Sequence, residues 1–197
     1  MNIIKWDNLK GSGTNKKKKQ IVLLHTSRKV TEYLSSLKHR HNGNYDKIPN
    51  YVIDKEGKIL EVLDPDQTSN IFNSRTIDNN VITIALENLG WVEKEPLKNR
   101  YINWIGNIYN GKVFEKHWRD YIFWDSYTNE QFDSTVSLCK KLLKEYNIEK
   151  KFVGHNTKIN GIGSFSGIVS RSNYFTENTD LNPSFNFELF LKKIEDE

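Results

Sequence analysis

Two short runs constrain this chain most: I-V-L-L-H over Ile21 to His25, and V-I-T-I-A-L-E over Val81 to Glu87. The first is continuously apolar, as expected of a strand covered on both faces, and the second reads as another strand whose alternation breaks at an acidic residue. Such strands occur in parallel sheets with helices on either side. Each run stops at a titratable residue, His25 or Glu87. A third run, K-F-V-G-H over Lys151 to His155, reads in the same way and ends on His155.

Helical and turn signals fall between these runs. Thr26 or Ser27 is placed to cap a helix to about Leu37, with Val30, Leu34 and Leu37 at helical spacing and Asn42-Gly43-Asn44 stopping it. Asn50 to Asp54 and Lys58 to Leu63 flank K-E-G, which predicts a tight hairpin with Gly57 at positive φ. Thr128 and Gln131 form a capping box, and Phe132, Val136, Cys139, Leu142, Leu143 and Tyr146 then make one apolar stripe. A short helix from about Phe187 to Ile194 closes the chain. Strands alternating with helices, plus a hairpin, predict an α/β single domain with a mixed central β-sheet flanked by helices.

Residues 1–19 read as a flexible basic arm on which Trp6 docks its ring against the body, ahead of a domain over 20–197. The run Lys16 to Lys19 fits a solvated flank of an edge strand better than a nucleic-acid patch. Zinc-finger spacing, paired RNA-binding strand motifs and a basic helix are all missing. Apolar runs of about five residues are far short of the roughly 20 a membrane span needs, and no secretory signal follows the N-terminal charges. The chain is therefore expected to be made in the cytoplasm. A single cysteine, Cys139, excludes a disulfide framework, so a metal site must rest on His and Asp.

Residues 91 to 127 are the least regular stretch and hold Trp91, Trp104, Trp118 and Trp124 with several Tyr and Phe residues. They suit either a groove wall that stacks on sugar rings or a satellite core under an insertion. His117, among these aromatics, is read as packed. The Gly-rich segment G-I-G-S-F-S-G lacks the Gly-Lys-Ser/Thr of a phosphate loop.

Ligands in open α/β sheets gather at strand ends, where His25, Glu87 and His155 have each landed. Asp180 opens the turn T-D-L-N-P-S-F. Two imidazoles and one carboxylate make three ligands, the number a catalytic zinc takes while leaving a position for water. Glu87 near such a metal is a candidate proton carrier, or else simply meets solvent. Asp180 has its own alternative, an N-cap near Asn182 and Ser184.

The order I-V-L-L-H-T-S, N-Y-V-I-D-K-E-G-K-I, V-I-T-I-A-L-E-N, Y-T-N-E-Q, F-V-G-H and T-D-L-N-P-S-F-N-F resembles the zinc N-acetylmuramoyl-L-alanine amidases. This family includes phage lysozyme-amidases and is related to the peptidoglycan recognition proteins. The resemblance covers roughly 20 to 192, with 95–127 and 157–178 as insertions. It implies a zinc on His25, His155 and Asp180, with Glu87 as general base for hydrolysis of the amide between N-acetylmuramic acid and L-alanine. It also implies a peptidoglycan or muropeptide partner, and a monomer that acts on the cell wall as a released phage lysin or on cytoplasmic muropeptides.

Three departures stand out. Where the family often has a lysine two residues before its third ligand, this chain has Asn178, for which Arg171 or Lys158 is the candidate substitute. Pro49-Asn50 and Asn70-Ile71 replace further family positions. These losses keep open a second reading, a peptidoglycan-binding module of the same fold without turnover.

Overall fold

The computed structural model describes residues 1–6, 9 and 11–196. Its elements in chain order are β1 (Ile3–Lys5), β2 (Gln20–His25), α1 (Val30–His39), β3 (Tyr51–Ile53), β4 (Ile59–Glu61), α2 (Arg75–Asp78) and β5 (Val81–Leu86). An insertion supplies β6 (Trp91–Glu95), β7 (Arg100–Asn103), β8 (Ile108–Tyr109), β9 (Val113–Trp118) and β10 (Tyr121–Asp125). There follow α3 (Asn129–Glu145), β11 (Gly167–Ser170) and α4 (Phe187–Glu195).

The central sheet runs β1-β4-β3-β5-β2-β11. β3, β5, β2 and β11 are mutually parallel, while β4 runs antiparallel to its hairpin partner β3 and β1 runs parallel to β4. The mixed α/β architecture expected from the sequence is thus the one observed. The two apolar runs are continuous because alternate side chains enter different cores. Ile21 and Leu23 of β2 pack with Ile82, Ile84 and Leu86 of β5 against Phe132, Cys139 and Leu142 of α3 and Phe190 of α4. Leu24 and Ala85 face the other way, against Leu34 and Leu37 of α1. Each such fully buried Leu or Ile stabilises the fold by about 1.5–3 kcal/mol relative to exposure.

Local signals explain the ends. The Thr128 side chain accepts from the Gln131 N–H at 3.1 Å, starting α3. The Gln131 side chain, however, turns into the core instead of completing the box. Gly57 sits at φ 80 between β3 and β4, where a Cβ would lie 2.6 Å from the Glu130 carbonyl oxygen. Neither Thr26 nor Ser27 caps α1. The helix starts after Lys29 with no side-chain cap, and the Thr26 hydroxyl donates to the Arg28 carbonyl.

Four expectations are corrected. The N-terminal segment is part of the sheet, since β1 pairs with β4, although Trp6 does dock against the body as expected, on the α1 side. The lysine run precedes an interior strand, and Lys18 within it is buried, its Nζ donating to the Asn79 carbonyl. Residues 91 to 125 form a five-stranded antiparallel sheet, β8-β7-β6-β10-β9, where irregular structure was expected. Trp124 is its fully buried centre, Trp91 stacks on Tyr121 at 4.6 Å, and His117 is exposed.

The fourth correction matters most for the site. K-F-V-G-H is not a strand of the sheet. Phe152 makes one isolated bridge to Ile168, and the position beside β2 belongs to β11, inside the stretch 157–178 expected to be an insertion. Gln20 fixes that edge, its amide donating to the carbonyls of Ile162 and Phe165 at 2.7 and 2.8 Å.

Candidate functional site

Because β3, β5, β2 and β11 are parallel, their carboxyl ends share one edge. His25 is paired in register with Leu86, and Leu86 with Ile53, while Ser170 is paired with Leu23. The residues at or just beyond these ends are Lys55, Glu87, His25 and Arg171, in that order along the edge. Two clusters grow from them.

The first cluster is buried. Asp180, fully inaccessible, receives the backbone N–H of His25 at 2.8 Å and its ring Nε2 at 2.9 Å on Oδ1. Arg171 Nε donates to Oδ2 at 2.5 Å. Burial alone would raise the Asp180 carboxyl, but the Arg171 guanidinium and the His25 ring outweigh it and hold the group well below the usual carboxylate range. Asp180 is therefore not a helix cap, a task that Asn186 performs for α4. His25 Nδ1 is buried without a hydrogen-bond partner among the described residues.

The second cluster lines an open cleft of about 620 Å³. Lys55 Nζ donates to Asp125 Oδ1 at 2.8 Å and to the Ser126 carbonyl at 2.6 Å. Tyr109 donates its hydroxyl proton to the same Asp125 oxygen at 2.7 Å, and the Leu89 N–H meets Oδ2 at 2.7 Å. Glu87 is half-buried at the cleft floor. Desolvation raises its carboxyl, partly offset by the Lys55 backbone N–H at 3.3 Å and by the nearby Lys55 charge. From beneath, Gln131 donates to the carbonyls of both Ile53 and Glu87 at 3.0 Å, tying α3 to the strand ends.

The insertion sheet is the cleft's outer wall, contributing Ile105, Ile108 and Tyr109. Trp104 Nε1 donates to the Ser27 carbonyl at 2.8 Å, latching that sheet to the loop before α1. Asn182 joins the two clusters, its amide donating to Asn88 Oδ1 and to the Asp125 carbonyl at 2.9 and 3.0 Å.

Of the residues singled out in the sequence, His25, Asp180 and Arg171 come together and Glu87 stands two strand-ends from Arg171. His155 does not join them. Asn173 anchors its carbonyl at 2.8 Å, but the imidazole is exposed in a separate groove with Lys116, Trp118 and Phe185. Lys158 is exposed in a shallow depression beside Trp118 and Arg119, and the cation on Asp180 is Arg171. Asn50, at one of the departures, is a buried structural residue exchanging hydrogen bonds with Thr83.

The expected zinc can be tested against this donor set. Among the described residues no three His, Cys, Asp or Glu side chains form a group able to hold a metal ion. His25 and Asp180 offer one imidazole and one carboxylate, and both carboxylate oxygens are already engaged. The third group in contact is a guanidinium, which has no lone pair to give. The residues present do not fit a three-ligand zinc.

Sequence reasoning missed Lys55, Asp125 and Tyr109. Asp125 carried a usable signal, an acid closing the aromatic run Y-I-F-W-D just as Glu87 closes its own run. Lys55 in a hairpin turn carried none.

A mixed sheet with helices on both faces and a cleft at the parallel strands' carboxyl edge defines the class. The family model for N-acetylmuramoyl-L-alanine amidases matches residues 14–168, and the chain belongs to that family. Solved structures share the fold at low identity. The N-acetylmuramoyl-L-alanine amidase LysC from Clostridium intestinale URNW superposes with a TM-score of 0.59 at 12% identity, over 100% of this chain and 99% of that one. The amidase AmiD from E. coli, in complex with the substrate anhydro-N-acetylmuramic acid-L-Ala-D-γ-Glu-L-Lys, gives 0.57 at 12% identity over 92% of this chain and 59% of that one. Staphylococcus aureus AmiA in complex with its ligand gives 0.54 at 10%, over 98% and 82%. No curated protein sequence matches. No helix among the described residues is long and apolar enough to cross a membrane.

Proposed function

We propose that this chain is a peptidoglycan-directed protein that takes a muropeptide into the cleft between the parallel strand ends and the insertion sheet. The observation that carries the reading is the cleft's mixed lining. Lys55, Glu87, Arg28 and Glu32 offer charged partners for a stem peptide, while Ile105, Ile108 and Tyr109 offer an apolar wall for a sugar face. Its volume falls within the roughly 300–1,000 Å³ usual for small-ligand sites. Family membership and the muropeptide held by the E. coli neighbour support the same ligand class. With a donor set that does not fit zinc, recognition without zinc-dependent turnover is the function this geometry supports best.

One observation favours a second reading, hydrolysis of the amide between N-acetylmuramic acid and L-alanine. Glu87 is a desolvated carboxylate facing the cleft, and desolvation brings a carboxylate nearer to a working general base. Titration calorimetry with a purified muramoyl tripeptide, with chromatography of the same mixture after long incubation, separates the two. Saturable binding that weakens in Lys55→Ala and leaves the ligand intact supports recognition. Release of free peptide, abolished in Glu87→Gln, establishes hydrolysis, and absence of both binding and release overturns the proposal.

A further inference from the structure

We propose that Arg171 stands in for a metal ion: its guanidinium supplies the positive charge around which His25 and Asp180 are arranged, so this site takes no zinc. A metal bound at this edge needs donors from neighbouring strand ends, and β2's neighbour on the side away from β5 is β11. The residue that follows β11 is Arg171.

The contacts agree. Asp180 has two oxygens. Oδ1 holds the His25 backbone N–H and ring Nε2, and Oδ2 holds Arg171. The Arg171 side chain is 23% exposed and Asp180 is 0% exposed, so the pair lies in a low-dielectric setting. There a fixed guanidinium would repel an incoming divalent cation far more strongly than in water. The guanidinium stays protonated throughout the working pH range and offers no lone pair, so it cannot turn from counter-ion into ligand. His25 Nδ1 is the one imidazole nitrogen here without a partner among the described residues, and a single donor does not make a zinc site.

The surroundings also favour a permanent cation. Tyr33 and Tyr127 are half-buried, and desolvation first, with the Asp180 charge adding to it, raises both phenols and keeps them protonated and neutral. Arg171 is thus the permanent cation paired directly with the buried carboxylate, beside the His25 ring. This inference stands whether or not the cleft binds a muropeptide.

The test uses the full chain, purified with excess zinc, dialysed, and measured for metal by elemental analysis and for thermal midpoint with zinc or EDTA added. The expected result is well under one tenth of a zinc per chain and no shift with either addition. Near-stoichiometric zinc that disappears in His25→Ala overturns the proposal. Arg171→Lys and Arg171→Met provide a readout that does not depend on metal. A midpoint for Arg171→Lys clearly above that of Arg171→Met supports the cation role, and equal loss in both overturns it.

Discussion

Arg171 and Asp180 meet through Nε and Oδ2 at 2.5 Å, joining the end of β11 to the turn that leads into α4. The pair closes the sheet edge where Asp180 also holds both nitrogens offered by His25, so three separate chain segments depend on one carboxylate. Removing one partner of a buried ion pair leaves the other charge uncompensated, at about 3–5 kcal/mol. Asp180→Ala is expected to lower the urea-unfolding free energy by about that amount, because it strands Arg171 and the His25 N–H together. A loss below about 1 kcal/mol would mean that water reaches the pair freely.

Glu87 gives a test of opposite sign. Its carboxyl is raised in the folded state, first by desolvation. A group whose folded pKa lies above its unfolded value contributes its stability below the unfolded pKa and loses it as pH rises through the folded one. At pH 7 the buried charge therefore works against folding, and Glu87→Gln should be more stable than wild type at pH 7. The advantage should fade as pH falls below about 4.3, the unperturbed glutamate value. Thermal midpoints of both proteins from pH 3 to 8 check this, and a Gln variant less stable at pH 7 contradicts it.

Gln131 holds the floor of the cleft in place. Its side chain satisfies the carbonyls of Ile53 and Glu87 from a fully buried position on α3. Gln131→Leu removes the side-chain donor from both carbonyls, of which Ile53 keeps the Glu87 N–H at 2.8 Å, and is expected to cost about 1–3 kcal/mol by chemical denaturation. Amide exchange at Glu87 and Lys55 should accelerate in that variant relative to the strand interior.

Gly90 joins the central sheet to the insertion. It sits at φ 82, and a Cβ there would lie 3.1 Å from the His25 Cε1 atom. Gly90→Ala therefore combines backbone strain with pressure on a ring already fixed by Asp180. A destabilisation larger than the roughly 1 kcal/mol of an ordinary glycine change is expected. His25 ring signals in NMR should shift as well, and an unchanged His25 environment would contradict the contact.

Much of the fold was legible because periodicity reports burial directly. β2, β5, the β3-β4 hairpin, α3 and α4 all lie where apolar spacing and turn residues placed them. The site was only half legible. His25 and Glu87 stand out as titratable groups at the ends of apolar runs, and Asp180 as the acid that opens the T-D-L-N-P-S-F turn. His155 misled because Phe152-Val153 ahead of Gly-His has the local signature of a buried strand, and only long-range pairing decides which of two short runs lies beside β2. Ile168-Val169, flanked by Gly167 and Ser170 in polar surroundings, is too short to announce itself, and yet it forms β11. The insertion sheet escaped notice for another reason. Val113–Trp118 is exposed at most positions, so it lacks a clear apolar alternation, although its aromatic content is a strand signal in its own right.

The most direct test of the account is a crystal structure of the chain soaked with a muramoyl tripeptide. The account predicts the stem peptide against Lys55 and Glu87 and the sugar against Ile105 and Tyr109, with Arg171 still on Asp180. Ligand bound in the groove beside His155, or a metal ion seated between His25 and Asp180 with Arg171 displaced, would contradict it.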